Sequence, residues 1–265
     1  MPVAQVNGID IQWEMQGSGP RLLYISGTGG DLRLRPSVFE GPLPSRFEVL
    51  AFDQRGLGRS GKPDIAYSMA GYGDDAAALM QAVGWDDASV FGVSFGGMVA
   101  QELVLRHPKR VSRLVLACTA PGGEGGASFP FHEIAHLTGE ARARRLIPVT
   151  DTRHDDAWAR AHPDQMLELI HLGGMDPFAD EPGHAIGARR QLEARAKHNT
   201  WDRLEQIGCP TLIAAGAYDG IALPEIQQRL AARIRRAELK FFEGGHLFTM
   251  QDPKALPAIM DFLED

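Results

Sequence analysis

The 265-residue sequence predicts an α/β protein, a mainly parallel sheet with helices on both faces and a helical insertion. Three observations carry that expectation. Short unbroken apolar runs alternate with helical patterns, as strands buried on both faces require. Several of these runs end in glycine-rich turns, at the strand ends where such sheets build their sites. Between about 122 and 200 the alternation stops and only helical pieces remain.

Each element has its own signal. "VAQVNGIDIQWEMQG" places Asn7-Gly8 between apolar segments, a hairpin turn. "RLLYISGTGG" is a buried strand opening into a glycine loop, and "FEVLAFDQRGLGRSG" repeats the design, with Phe47 to Phe52 as strand. A helix follows from about Ala70 to Val83, anchored by Leu79, Met80 and Val83. Then come "ASVFGVS" as strand, "FGGMVAQELVLRHP" as helix and "VSRLVLACTAP" as strand. After the insertion, "CPTLIAAGAYD" is strand, "PEIQQRLAARIRR" helix, "AELKFFEGG" strand and "LPAIMDFLED" a closing helix. Residues 1–121 and 201–265 are therefore expected to form one core. Residues 122–200, with helical "MLELIHLGGM" and "IGARRQLEARAKH", are expected to form a cap rather than an independent domain.

Composition bounds the function. Hydrophobic residues at 44% supply a sizeable core, and the net charge of −7 with no long basic run gives no footprint for nucleic acid. The N-terminus lacks the basic start and apolar core of a secretory signal. No apolar run approaches the ~20 residues of a membrane span. Cys118 and Cys209 adjoin apolar strands and read as buried thiols, which fits a cytoplasmic protein.

The chemistry centres on Gly92-Val93-Ser94-Phe95-Gly96, a Gly-x-Ser-x-Gly run between a predicted strand and a predicted helix. A turn that tight needs neighbours without bulk, and its strained backbone presents the Ser94 hydroxyl at the carboxyl edge of the sheet. The helix beyond it points N–H groups toward developing negative charge. A serine is a weak nucleophile and needs a base that is itself held by an acid. Asp219 follows the strand "TLIAAGAY" and His246 follows "ELKFFEGG", in the chain order Ser94, Asp219, His246. Glu124, beyond "RLVLACT", is a rival for the acid, but it lies in the loop "PGGEGG". Two backbone donors, on Thr28 in "ISGTGGD" and on Phe95, are placed to form an oxyanion hole.

These stretches, with "FDQRGLGRSGKP", "AGAYDGI" and "EGGH", resemble the α/β-hydrolase superfamily over nearly the whole chain. The resemblance implies a structural role for Asp53, Arg55, Gly56, Gly58 and Ser60. "RLVLACTAPGG" leading into a small helical cap is similar to 3-oxoadipate enol-lactonases and related esterases. One departure stands out, because Ser26-Gly27 replaces the family's usual His-Gly and puts the loop's hydrogen bonding in question. The expected activity is cleavage of a small-molecule ester or lactone through an acyl-enzyme, with no metal or organic cofactor. Carbon–carbon bond hydrolases, cofactor-free haloperoxidase-like enzymes and non-catalytic receptors on this fold remain open alternatives. Dehalogenases and epoxide hydrolases, which carry aspartate at the elbow, do not fit Ser94.

A competing motif is "HEIAHLTGEAR", in a region holding seven of the nine histidines. His-Glu-x-x-His on a helix is a zinc-protease pattern, and Gly139 falls where its longer form wants glycine. The third ligand position is Arg142, which cannot bind a cation, and His154 or Asp156 lie in a charged stretch not set to face the first two. The expectation is a cap helix on which Ile134, Ala135 and Leu137 pack, with no metal. Of Met98, Phe129, Phe131, Trp158, Met166, Met175, Phe178 and Phe248, fewer than half are expected to line a pocket. Arg33 and Arg35 stand near the oxyanion loop as candidate partners for a substrate carboxylate, although solvated surface positions are the expected reading.

Overall fold

Asn7 and Gly8 both take positive φ, 48° and 78°, the conformation a two-residue hairpin needs to match strand twist. They join β1 (Val3–Val6) to β2 (Ile9–Gln16), which pair antiparallel. The computed structural model describes residues 2–264. From β2 the chain passes through β3 (Arg21–Ile25), β4 (Glu48–Phe52), α1 (Met69–Ala82), β5 (Ala88–Val93), α2 (Phe95–Arg106) and β6 (Val111–Ala117). A helical excursion follows, with α3 (Gly139–Thr150), α4 (Asp156–Ala161), α5 (Pro163–Gly174) and α6 (His184–Ala196). The chain then resumes with β7 (Thr211–Gly216), α7 (Pro224–Arg233), β8 (Ala237–Phe242), α8 (Phe248–Gln251) and α9 (Ala255–Glu264). Among the described residues no helix is long and apolar enough to cross a membrane.

The described strands form one eight-stranded sheet in the order β1-β2-β4-β3-β5-β6-β7-β8. Pairing is parallel from β4 to β8, and β2 meets β4 antiparallel. This is the mainly parallel sheet that the apolar runs predict. Successive side chains of a strand point to opposite faces, and here the two faces bury different partners. Leu23, Leu50, Val90, Leu114 and Ile213 pack with residues of α1, α2 and α7. Their neighbours Leu22, Val49, Phe91, Val115 and Leu212 pack with Ile259, Met260 and Leu263 of α9. Full burial of such side chains contributes about 1.5–3 kcal/mol each. Unbroken apolar runs are thus required by a sheet covered on both sides.

Ser68 caps α1 by accepting the Gly71 N–H at 3.0 Å, which sets the start of that helix. The same helix carries buried Asp75, whose carboxylate holds Arg55 through two 2.8 Å contacts. That bond raises the Arg55 pKa above its ordinary value. The turn after β4 is thereby tied to the helix that follows it.

Candidate active site

Ser94 sits between the last residue of β5 and the first of α2, with φ 55° and ψ −113°. A non-glycine residue takes such a conformation only when its surroundings impose it. Here the Ser94 N–H donates to the Ala117 carbonyl at 2.8 Å, and the Thr119 hydroxyl donates to the Ser94 carbonyl at 2.7 Å. The close approach of strand and helix requires the flanking glycines. A Cβ at Gly96 would lie 2.0 Å from the Ile25 carbonyl oxygen, and one at Gly92 2.4 Å from that of Gly96.

The structure brings the three expected side chains together. His246 Nε2 lies 2.9 Å from Ser94 Oγ, and Nδ1 lies 2.8 Å from Asp219 Oδ2. Asp219 is 1% exposed, and its other oxygen accepts the N–H groups of Ile221 and Ala222 at 2.8 and 2.9 Å. A carboxylate so engaged keeps the Nδ1 proton on the histidine and leaves Nε2 free to accept from the serine. Glu124, the rival acid, is exposed in a short turn, Gly123–Gly125.

The loop after β3 reaches the elbow from the other side, and a Cβ on Gly27 would be 3.5 Å from that of Ser94. Neither the Thr28 N–H nor the Phe95 N–H, the first of α2, has an acceptor among the described residues. Two glutamines the sequence did not single out hold this loop. Gln54, fully buried, donates to the Ser26 carbonyl at 2.9 Å, and Gln191 of α6 accepts the Gly29 N–H at 3.0 Å. The Gln54 amide also lies 3.4 Å from the Ser26 hydroxyl, so backbone and side chain of Ser26 both meet Gln54. Asp53 braces the next segment by accepting the N–H groups of Leu32 and Arg59 at 2.7 and 2.8 Å. Burial pushes its carboxyl up to about 6. Ser60 accepts the Gln12 N–H at 2.9 Å and also donates to the Asp53 carbonyl.

The excursion is docked on the loops that carry Asp219 and His246. The last carbonyls of a helix have no partner within it, and α3 offers two of them. The Val149 carbonyl accepts the Gly220 N–H at 2.9 Å, and the Thr150 carbonyl accepts that of His246 at 2.6 Å. Asp151, fully buried, accepts Gln251 at 2.9 Å and Arg153 at 2.7 Å. Burial opposes its charge, but these bonds outweigh burial and hold its pKa below the usual range. The sequence suggested only a charged loop at this position.

Three expectations are corrected. "HEIAH" does not lie on a regular helix. Phe131–Ile134 form a short 3-10 turn, Thr138 is extended, and α3 begins only at Gly139, whose φ is +52°. Ile134 is buried, but Ala135 is exposed, as are His132 and His136. The one His, Cys and acid cluster with metal-ligand spacing among the described residues is Cys118, Asp219 and His246, not this motif. Arg33 is bound to Asp31 and Glu181 and lies 3.6 Å over the Phe178 ring, while Arg35 pairs with Glu40 on the surface. Neither is an unpaired cation awaiting a ligand.

The third correction concerns the pocket. Met98, Phe129 and Phe131 line one cavity of about 80 Å³, and Met175 and Phe178 line another of about 220 Å³ that includes Thr28 and Gly29. More than half of the eight candidates therefore face a cavity. Trp158 instead stacks between His154 and His162, and Phe248 stacks on Phe242 in the core. As expected, Cys118 is a buried free thiol; Cys209 is only partly buried.

Comparison with known proteins agrees with the fold. The sequence pattern of the alpha/beta hydrolase fold matches residues 20–146. A poly(3-hydroxyalkanoate) depolymerase from Ectopseudomonas oleovorans is 31% identical over 92% of this chain and 84% of its own length. A putative carbamate hydrolase RutD from Caulobacter sp. (strain K31) is 32% identical over 83% of this chain and 82% of its own. The crystal structure of the enol-lactonase from Burkholderia xenovorans LB400 superposes with a TM-score of 0.81 at 24% identity, covering 100% of both chains. On sequence, topology and elbow alike, the chain belongs to the alpha/beta hydrolase fold family and is a hydrolase of that family.

Proposed function

We propose that this protein is a serine hydrolase that cleaves a small-molecule carboxylic ester or lactone through Ser94, His246 and Asp219. The observation that carries the reading is the single imidazole bridging Ser94 Oγ at 2.9 Å and Asp219 at 2.8 Å. His246 takes the Ser94 proton as the hydroxyl attacks the carbonyl carbon. The Thr28 and Phe95 N–H groups hold the oxyanion as the tetrahedral intermediate forms. Collapse expels the alcohol, protonated by His246, and leaves an acyl-enzyme. Water activated by His246 then releases the acid and restores the serine. Residues 122–200 act as a cap over this site, and its docking on the Asp219 and His246 loops supports that role.

Similarity to a putative carbamate hydrolase favours one second reading, carbamate cleavage by the same attack. Intact-mass labelling with a fluorophosphonate tests the primary assignment. One adduct on the wild type, none on Ser94→Ala and no effect of a chelator is the expected result. A folded wild type that takes no adduct would overturn it. A panel of esters, lactones and carbamates then separates the two readings.

A further inference from the structure

The smaller cavity contains an unusual charge. Arg195 of α6 lines it and is 6% exposed, yet no carboxylate pairs with it among the described residues. Its Nη2 donates to the Ser128 hydroxyl at 2.8 Å and its Nη1 to the Phe129 carbonyl at 3.3 Å, both neutral acceptors. Its Nε has no partner, and the guanidinium lies 4.1 Å over the Phe131 ring. His198, in the same wall and 7% exposed, leaves both ring nitrogens without a hydrogen bond. Burial holds that imidazole neutral, with its pKa down to about 3; the Ala120 backbone favours its charged form without a well-formed hydrogen bond. Burial also lowers the Arg195 pKa, to about 10, which leaves the guanidinium charged at neutral pH.

A buried cation without an anion is costly, because it has given up its hydration and regained little. A guanidinium has five N–H donors, and two are used here. A carboxylate supplies the missing charge through a charge-assisted hydrogen bond. Neither Ser94 nor His246 lines this cavity, which lies beside the nucleophile's helix rather than at the triad itself. Met98 lies one helical turn past Ser94 and lines this cavity, and Leu192 lines both this cavity and the one containing Thr28. Phe129, Pro130 and Phe131 make an apolar wall, and the exposed His132 lines the cavity as well.

We infer that Arg195, with Ser128 and His198, forms a subsite for a carboxylate carried by the substrate at a point remote from the scissile bond. The substrate class is thus an ester or lactone with a free acid at its far end, held by an apolar chain between the two groups. This rests on the proposed ester or lactone hydrolysis, and one buried guanidinium without a carboxylate fits a monoanion.

The test compares the 4-nitrophenyl monoester of adipic acid with its methyl-capped neutral counterpart, on wild type, Arg195→Met and Arg195→Lys. The expected result is a loss of roughly ten- to hundred-fold in kcat/KM for the acid on Arg195→Met, mostly in KM. The neutral ester should change little, and Arg195→Lys should recover part of the preference. In parallel, adipate should raise the Tm of the wild type but not of Arg195→Met, with inorganic phosphate as the control anion. An unchanged ratio of acid to neutral ester in folded Arg195→Met would overturn the subsite. So would equal loss on both esters, which would make Arg195 a tether for the 128–131 loop. Should Arg195→Met not fold, the subsite is equally overturned by an acid no better than its neutral counterpart on wild type, together with no Tm response to adipate. If neither ester is cleaved and no adduct forms, the hydrolase assignment fails, while the Tm response still decides whether the carboxylate binds.

Discussion

Gln191 accepts the N–H of Gly29 at 3.0 Å, so the loop beside Ser94 is held by a helix more than 160 residues further along the chain. The excursion is therefore part of the site's architecture. Gln191→Leu keeps the size of the side chain and removes the acceptor. It is expected to lower kcat by about ten-fold with little change in KM, since the loop N–H groups are needed most when charge develops. Steady-state kinetics on a neutral ester, with fluorophosphonate labelling rates, checks this. Unchanged kcat in the folded variant would show that the loop stands without the excursion.

Asp219 accepts three hydrogen bonds, two from its own loop and one from His246. Asp219→Asn preserves the shape but offers an N–H where the imidazole needs an acceptor, which favours the wrong tautomer. A fall in kcat on the order of 10³–10⁴ is expected, with Tm close to the wild type. Retention of near-normal turnover would transfer the acid's role elsewhere.

His198 makes stability depend on pH. Its folded pKa, about 3, lies below the ordinary 6.5, so the unfolded chain binds the proton more readily. The contribution is full above pH 6.5 and is lost as the pH falls toward 3. By pH 4 the loss amounts to about 3 kcal/mol. Urea unfolding of wild type and His198→Gln at pH 7.5 and pH 4 measures it, and the variant should lose correspondingly less. Equal losses in both proteins would remove His198 from the account.

Arg55 and Asp75 form an ion pair whose side chains are 11% and 2% exposed. Removing one partner leaves the other charge stranded, at a cost of about 3–5 kcal/mol. Asp75→Asn is therefore expected to lower stability by that order, while Arg55→Met with Asp75→Leu should recover much of it. Chemical denaturation of both variants decides whether the pair is needed as a pair.

Local patterns were enough for much of this molecule. Apolar runs of strand length predict a doubly covered sheet, because each face of such a strand must find a core, as Leu22 and Leu23 do on opposite sides. Asn7-Gly8 announces its turn because few residues accept two successive positive φ angles. Gly92 and Gly96 around Ser94 mark the elbow, since their missing Cβ atoms are a requirement of the crossing itself. The order of Ser94, Asp219 and His246 is legible for a related reason, each standing at the end of a recognisable strand.

What only the tertiary structure decided concerns partners far apart in sequence. Gln54 and Gln191 look like any polar residues until the loop they hold is in place. Asp151 reads as a surface charge, yet it is buried between Arg153 and Gln251. Arg33 looks available and is neutralised by Glu181, which stands 148 positions away, while Arg195 reads as one charge among several on its helix and is buried with no carboxylate partner among the described residues. Periodicity reports which face a residue takes on its own element. Whether a charge then meets an opposite charge, water or an apolar wall depends on how the elements pack, and that is a property of the folded whole.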